Sequence, residues 1–391
     1  MASPLEVLIS CSWWGGGLSV PVYFKALADE LVDRGHRVTL VVTGGERPIE
    51  AGTEDRLEVC FWPDGRGASW RDGRFARRLL RRVRPDVCIA NFSAVNLLML
   101  LGKAHGVPVR IAYYHTLLEQ VRADGGGRSL AGRLRIVRKA AIYRMATHLV
   151  AVSERAAEDL TSIYRLPAGR ITCFHNAAPD PLEGEGPGIE LGHSPSKARD
   201  PRAVAAIRLD PSKGPDLLLD AVAALHRDRA WPPDFGLEIY GEGPMRESCE
   251  ARIERHGLGD LVRLPGRRPP AEVRSAMARA RFTVLPSRSD NCPLAAIESL
   301  ALGTPVVGAR AGGIPELVDG KSGVLVQPGD AAALASALRA LLHDPELCAE
   351  LGRGARERFL TRFELRRAVA RQADWLESLV PAQRTPPKRA R

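Results

Sequence analysis

The stretch RFTVLPSRSDNCPLAAIESLALGTPVVGARAGGIPELV, Arg281 to Val318, decides the fold class of this chain. Phe282 to Leu285 is a short apolar run closed by Pro286, and Leu294 to Leu302 has helical spacing closed by Gly303 and Pro305. Pro305 to Gly308 supplies a second apolar run, so the segment reads strand, loop, helix, strand: a βαβ unit of a parallel sheet. Ala311-Gly312-Gly313 then lets backbone come close to whatever sits at the strand ends, where open parallel sheets bind ligands.

The chemistry of this unit lies in Asp290, in the loop, and Glu298, about a turn into the helix, with seven residues between them. An ionised carboxylate accepts hydrogen bonds from two neighbouring hydroxyls, so the pair suits the diols of a sugar and a ribose. Between the acids, the amides of Asn291, Cys292 and Leu294 approach the helix N-terminus, where free N–H groups and the dipole favour a phosphate. This segment resembles the signature of family 4 glycosyltransferases, retaining enzymes of the GT-B fold whose pattern is Glu, seven residues, Glu. The resemblance implies that Glu298 holds the donor's ribose, that Asp290 lies against the transferred sugar, and that the loop amides contact sugar or phosphate. Asp290 departs from the pattern and reaches one methylene less far.

Working outward, Leu5 to Ser10 reads as a first strand, followed by Trp13-Trp14-Gly15-Gly16-Gly17, a helix over 20–34 and a second strand, His36 to Thr43. In the family the corresponding glycine-rich loop lies near the donor phosphates, which makes Gly16 and Gly17 donor-binding candidates. Val109 to Tyr114 is a strand leading into His115, which resembles the family's active-site histidine that contacts the transferred sugar. In the second half, Ala203 to Ile207 is followed by Arg208-Leu209-Asp210-Pro211-Ser212-Lys213-Gly214. Two cations beside a glycine suit a pyrophosphate, and they match the family's Arg and Lys that bind the donor diphosphate. Leu237 to Tyr240 with Gly241 matches the next strand and turn. Trp13, Trp14, Tyr113, Tyr114, Glu119 and Gln120 are the acceptor-lining candidates, since aromatic faces and carboxylates or amides suit polyols.

At 391 residues the chain is too long for one ordinary core. We expect two Rossmann-like domains facing each other across a cleft: 1–180 for the acceptor and 203–362 for the donor, joined by a Pro/Gly/Ser-rich linker over 181–202. A helix over 363–380 is expected to cross back to the first domain, followed by a basic, proline-rich tail, 381–391. The seven cysteines have no C-x-x-C spacing, and no apolar run has the length of a membrane span, so a cytoplasmic protein with reduced thiols is expected. No metal or other cofactor is expected beyond the nucleoside-diphosphate sugar itself, of UDP or GDP type, because no Asp-x-Asp and no His/Cys cluster at ligand spacing is present.

The net charge of +10 calls for an anionic partner. Two basic amphipathic stretches, around Arg74 to Val83 and Arg128 to Arg144, admit a peripheral contact with an anionic membrane at the inner face. No nucleic-acid motif accompanies the charge. The function implied is retaining transfer of a sugar to a hydroxyl of a glycan, a glycolipid or a small polar natural product. The alternatives are a GT-B nucleotide-sugar epimerase, and a non-catalytic basic protein that binds anionic membrane or nucleic acid.

Overall fold

The computed structural model describes residues 4–12, 20–43, 56–118, 130–183 and 199–380. Trp13, Trp14, Gly16, Gly17, Glu119 and Gln120, most of the expected linker and the expected tail lie outside the described residues.

The first sheet holds β1 (Glu6–Ser12), β2 (Arg37–Thr43), β3 (Leu57–Phe61), β4 (Val87–Ala90), β5 (Val109–Tyr114), β6 (His148–Ala151) and β7 (Ile171–Cys173). Its order is β3-β2-β1-β4-β5-β6-β7, every pairing parallel. Such strands are buried on both faces and need not alternate; β4 is buried at every position. One face is covered by α2 (Trp70–Val83), α3 (Ala94–Ala104), α4 (Leu130–Tyr143) and α5 (Glu154–Ser162), which share a core with Leu8, Ala90 and Tyr114. The other face carries α1 (Val20–Asp33), through Phe24, Leu27 and Leu31. Gly35, at φ +92°, turns the chain from α1 into β2.

The second sheet holds β8 (Asp200–Ala206), β9 (Gly236–Tyr240), β10 (Val262–Gly266), β11 (Ala280–Leu285), β12 (Val306–Ala309) and β13 (Gly323–Val326), in the parallel order β10-β9-β8-β11-β12-β13. Its helices are α6 (Pro215–Arg227), α7 (Arg246–Arg255), α8 (Pro270–Arg279), α9 (Leu294–Ala301), the single turn α10 (Ile314–Leu317), α11 (Ala331–His343) and α12 (Pro345–Arg362). The βαβ unit read from Arg281 to Val318 is thus β11–α9–β12, with Pro293 at the N-cap of α9. β8 begins at Asp200, earlier than the expected Ala203, because its first residues pair with Ala280 and Gly236 of the flanking strands.

The last helix, α13 (Leu365–Ser378), leaves the second domain and packs on α1. Tyr23 Oη donates to Gln372 Oε1 at 2.5 Å, and the Gln372 amide donates to Tyr113 Oη. Arg34 pairs with Asp374 at 2.6 Å, and His36 Nε2 lies 2.9 Å from Glu377. The chain enters α13 through a bridge: Ala178 N donates to Phe363 O, and Leu365 N donates to Ala178 O. The crossing expected from the sequence is therefore present, beginning at Leu365 with Glu364 as its N-cap.

Candidate active site

In the second sheet the strand order reverses between β8 and β11, so the loops leaving these adjacent strands diverge and open a crevice outside their C-terminal ends. One loop carries Arg208 and Lys213, the other Asp290, Asn291 and Cys292. Lys213 Nζ donates to Asp290 Oδ2 at 2.6 Å, with side chains 19% and 11% exposed. The ammonium has three donors, so two remain for an anion in the crevice.

Glycines bring these loops together. A Cβ on Gly214 would lie 2.4 Å from the Pro286 carbonyl oxygen, and one on Gly312, at φ +55°, would lie 1.8 Å from that of Asp290. Gly241, at φ +135°, stands where a Cβ would meet the Ile207 carbonyl oxygen at 2.0 Å, which lets the loop after β9 lie against Arg208. The Arg208 side chain itself is 73% exposed and pairs with Asp210 at 3.0 Å rather than with Asp290. An exposed ion pair contributes less than about 1 kcal/mol and does not fix the guanidinium there.

Glu298 lies half-buried on α9. Burial pushes its carboxyl up to about 7, against the opposing pull of the Arg274 guanidinium. One guanidinium nitrogen of Arg274, Nη1, is buried without a hydrogen-bond partner among the described residues. Leu294 opens α9, where the first-turn amides have no helical carbonyl to meet.

From the first domain comes His115, directly after β5. Its Nε2 lies 2.9 Å from Asn91 Oδ1, whose amide nitrogen in turn donates to Ser10 O at 3.0 Å. That orientation makes Nε2 the donor and leaves Nδ1 as an acceptor. The ring stacks on Phe92 at 4.5 Å and on Tyr113 at 5.5 Å, and burial lowers its pKa to about 4, so it is neutral at pH 7.

The two domains are tied through the same loops. Asn291 Nδ2 donates to His115 O at 2.8 Å, its Oδ1 accepts from Ser153 Oγ, and Asn176 Nδ2 donates to Cys292 O at 2.9 Å. Ser153 also caps α5. Glu316 of α10 accepts from the amides of Glu154 and Arg155, at 2.7 and 3.0 Å, and from His175 Nε2 at 2.8 Å. Burial raises its pKa, but these donors outweigh it and hold the carboxyl below its usual range. With Cys173 they bring three metal-ligating side chains within 4.8 Å, a grouping that no spacing in the sequence showed.

Sequence reasoning missed Asn91, Ser153 and Glu316 as site-building residues. The legible signal was polar side chains just past the C-terminal ends of β4 and β6, where parallel sheets face their ligands. Two acceptor candidates are corrected. Tyr114 is 1% exposed, its hydroxyl donates to Asp159 at 3.3 Å, and its ring packs edge-on against Tyr143 and Tyr164. Tyr113 is buried on the opposite face, against Phe24. Successive strand residues point to opposite faces, and both faces of this strand are covered, so neither ring reaches a cleft.

Two parallel α/β domains meet here, with cations and carboxylates gathered at the switch point of the second sheet, where open parallel sheets bind their ligands. Residues 16–179 match the family model for Glycosyltransferase Family 4, and residues 192–358 that for Glycosyl transferases group 1. A glycogen synthase of Mycobacterium tuberculosis is 30% identical over 339 residues, covering 83% of this chain and 78% of that protein. A D-inositol 3-phosphate glycosyltransferase of Segniliparus rotundus is 34% identical over 222 residues, 52% of this chain and 48% of its own. Among solved structures, sucrose-phosphate synthase from Thermosynechococcus elongatus superimposes with a TM-score of 0.75 at 19% identity, over 95% of this chain and 98% of that one. Anabaena Alr3699/HepE, solved in complex with UDP, gives 0.73 at 19% identity over 95% and 99%.

The chain belongs to glycosyltransferase family 4 and has the GT-B fold. It is a glycosyltransferase that uses a nucleotide sugar, and its relatives do not favour the epimerase or binding-only alternatives.

Proposed function

We propose that the chain transfers a sugar, with retention at the anomeric carbon, from a UDP- or GDP-type donor to an acceptor hydroxyl, without a metal. The observation that carries this reading is the Lys213–Asp290 contact at the β8/β11 switch point, with Glu298 farther along the helix that follows Asp290. Lys213, and Arg208 once it swings from Asp210, offset the charge that builds on the diphosphate as the sugar–oxygen bond breaks. Glu298 accepts from the ribose hydroxyls. Asp290, the neutral His115, the amides of Asn291, Cys292 and Leu294, and Gly241 orient the sugar and phosphates, joined by the loop of Gly16 and Gly17. The acceptor hydroxyl attacks from the face the diphosphate leaves, and the departing phosphate oxygen takes its proton. Trp13, Trp14 and Glu119 remain the acceptor candidates.

The acceptor is a hydroxyl of a glycan, a glycolipid or a small polar natural product; a lipid-linked one would bring the first domain to an anionic membrane. A cytoplasmic location is part of this reading, and all seven cysteines are free thiols. Calorimetric titration with UDP, GDP, ADP and TDP in chelator tests the donor site. Binding of one diphosphate, lost in Lys213→Ala, supports the reading; no binding, or equal binding by the variant, sinks it. Anomeric NMR of the product of the matching nucleotide sugar then decides retention.

A further inference from the structure

Cys173 ends β7, and the chain stays extended just beyond it, with Phe174 N donating to Ala151 O at 2.9 Å. Side chains two apart on an extended segment face the same side. Cys173 and His175 therefore share a side, while Phe174 packs against Trp375 of α13. The side they share meets α10 of the second domain, where Glu316 accepts from His175 Nε2. The Cys173 sulfur, a His175 ring nitrogen and a Glu316 carboxylate oxygen all lie within 4.8 Å of one another.

These groups are already oriented. The amides of Glu154 and Arg155 fix the Glu316 carboxylate, one on each oxygen, and the His175 ring stands edge-on to Phe363 at 5.9 Å. A carboxylate has about four acceptor sites, so an ion that replaces the His175 proton leaves both amide bonds in place. The His175 and Glu316 side chains are 18% and 19% exposed, enough for an ion to enter from solvent. Burial, and then the Glu154 and Glu316 carboxylates, push the Cys173 thiol well above its ordinary range. A dication reverses that balance, because coordination deprotonates a thiol outright.

One sulfur, one imidazole and one carboxylate make a donor set that suits Zn2+, whereas Mg2+ and Ca2+ take oxygen ligands. With Zn–S near ~2.3 Å and Zn–N or Zn–O near ~2.1 Å, the ligand atoms of a tetrahedral ion stand roughly 3.4–3.6 Å apart. The His175–Glu316 contact of 2.8 Å would open by about 0.6 Å and the sulfur would close in by about 1 Å, which side-chain rotation supplies.

We propose that Cys173, His175 and Glu316 form a Zn2+ site that joins the two domains, with its fourth position open to water. Binding releases the thiol proton to solvent as the sulfur–metal bond forms, and the His175 proton moves from Nε2 to Nδ1. The sulfur and imidazole belong to the first domain and the carboxylate to the second. A bound ion therefore holds closed the seam beside the Asp290 loop, where Asn176 Nδ2 meets the Cys292 carbonyl. Two-domain enzymes open and close to exchange ligands, so such an ion opposes opening. It takes no part in sugar transfer, and its test needs no sugar.

The experiment is titration of the full chain, reduced and stripped of metal by chelator, with Co2+ as a coloured stand-in, followed by displacement with Zn2+. A thiolate-to-cobalt charge-transfer band is expected to saturate at one ion per chain and to vanish as Zn2+ is added. Cys173→Ser, nearly isosteric, abolishes the band, and Cys292→Ser keeps it. His175→Ala and Glu316→Gln each weaken binding about tenfold or more. Zn2+ at a hundredfold excess over its Kd raises the melting temperature of the parent by about 5 °C and leaves that of Cys173→Ser unchanged. Metal-free melting and far-UV circular dichroism show that each variant is folded. No charge-transfer band, a band that persists in Cys173→Ser, or parental affinity in His175→Ala or Glu316→Gln overturns the proposal.

Discussion

Glu298→Gln is expected to move stability and donor affinity in opposite directions. Burial lifts this carboxyl from its ordinary 4.5 to about 7, so the folded protein disfavours the ionised form that prevails at pH 8. At 1.36 kcal/mol per tenfold change, the difference amounts to about 3 kcal/mol. Solvent relaxation around a half-buried side chain leaves ~1–2 kcal/mol of it. The folded pKa is the higher one, so the group's contribution is full below pH 4.5 and is lost as pH rises through about 7. Glutamine removes that loss. The ligand-free variant should therefore melt roughly 2–8 °C higher than the parent at pH 8 and show little difference at pH 4.5.

The same substitution replaces a charge-assisted acceptor of ribose hydroxyls with a neutral one. That loss is about 1.5–3 kcal/mol, or roughly a 10- to 150-fold weaker Kd for the matching diphosphate. Scanning calorimetry at the two pH values and isothermal titration at pH 8 measure both effects. Because the diphosphate titrates near neutrality too, parent and variant are compared at each pH. A variant less stable than the parent at pH 8 would contradict the cost of burying this carboxylate, and one that binds the diphosphate equally well would contradict its contact with the ribose.

Three further outcomes follow from the loop geometry. Lys213→Ala leaves Asp290, with its side chain 11% exposed, without its countercharge. It should cost about 2–4 kcal/mol in thermal or denaturant unfolding, and adding Asp290→Asn should restore stability but not diphosphate binding. Asn291→Ala removes the bonds to His115 and Ser153 together, and should lower stability by about 1–3 kcal/mol while weakening the donor; an unchanged melt would show the ties to be inconsequential. Gly312→Ala would put a Cβ 1.8 Å from the Asp290 carbonyl oxygen, so the loop must shift. Turnover should fall about 100-fold with an unchanged far-UV CD spectrum, and near-parental turnover would contradict the placement of Asp290 beside the sugar.

Much of this arrangement was legible in the chain. β11, α9 and β12 follow from an apolar run, a helical repeat and the Gly303–Pro305 stop, which are local signals. Lys213 and Asp290 were each placed at a strand's end by such signals, but their contact spans 77 positions and depends on β8 lying beside β11. The sequence marks Arg208 as a phosphate ligand but does not show its pairing with Asp210, two residues on. The Tyr113–Tyr114 pair was misread because aromatic rings beside a candidate histidine suit both a sugar platform and a core, and only the helices on both faces of β5 distinguish them.

α12 shows the same limit in the scaffold. Gly352 and Gly354 weaken any helix reading of Pro345–Arg362, since glycine lowers helix propensity by about 1 kcal/mol. Their reason lies elsewhere in the chain: a Cβ at Gly352 would be 2.5 Å from the Gly303 carbonyl oxygen, and one at Gly354 would be 1.9 Å from that of Lys321. The parallel α/β units, the two-domain plan and the residue types at the strand ends can be read from the chain alone, because hydrophobic period, caps and breakers act over a few residues. Which strand ends become neighbours, and that Asn291 and Glu316 tie the domains, emerges from the packed fold, because both depend on the order of strands and the approach of backbones far apart in the chain.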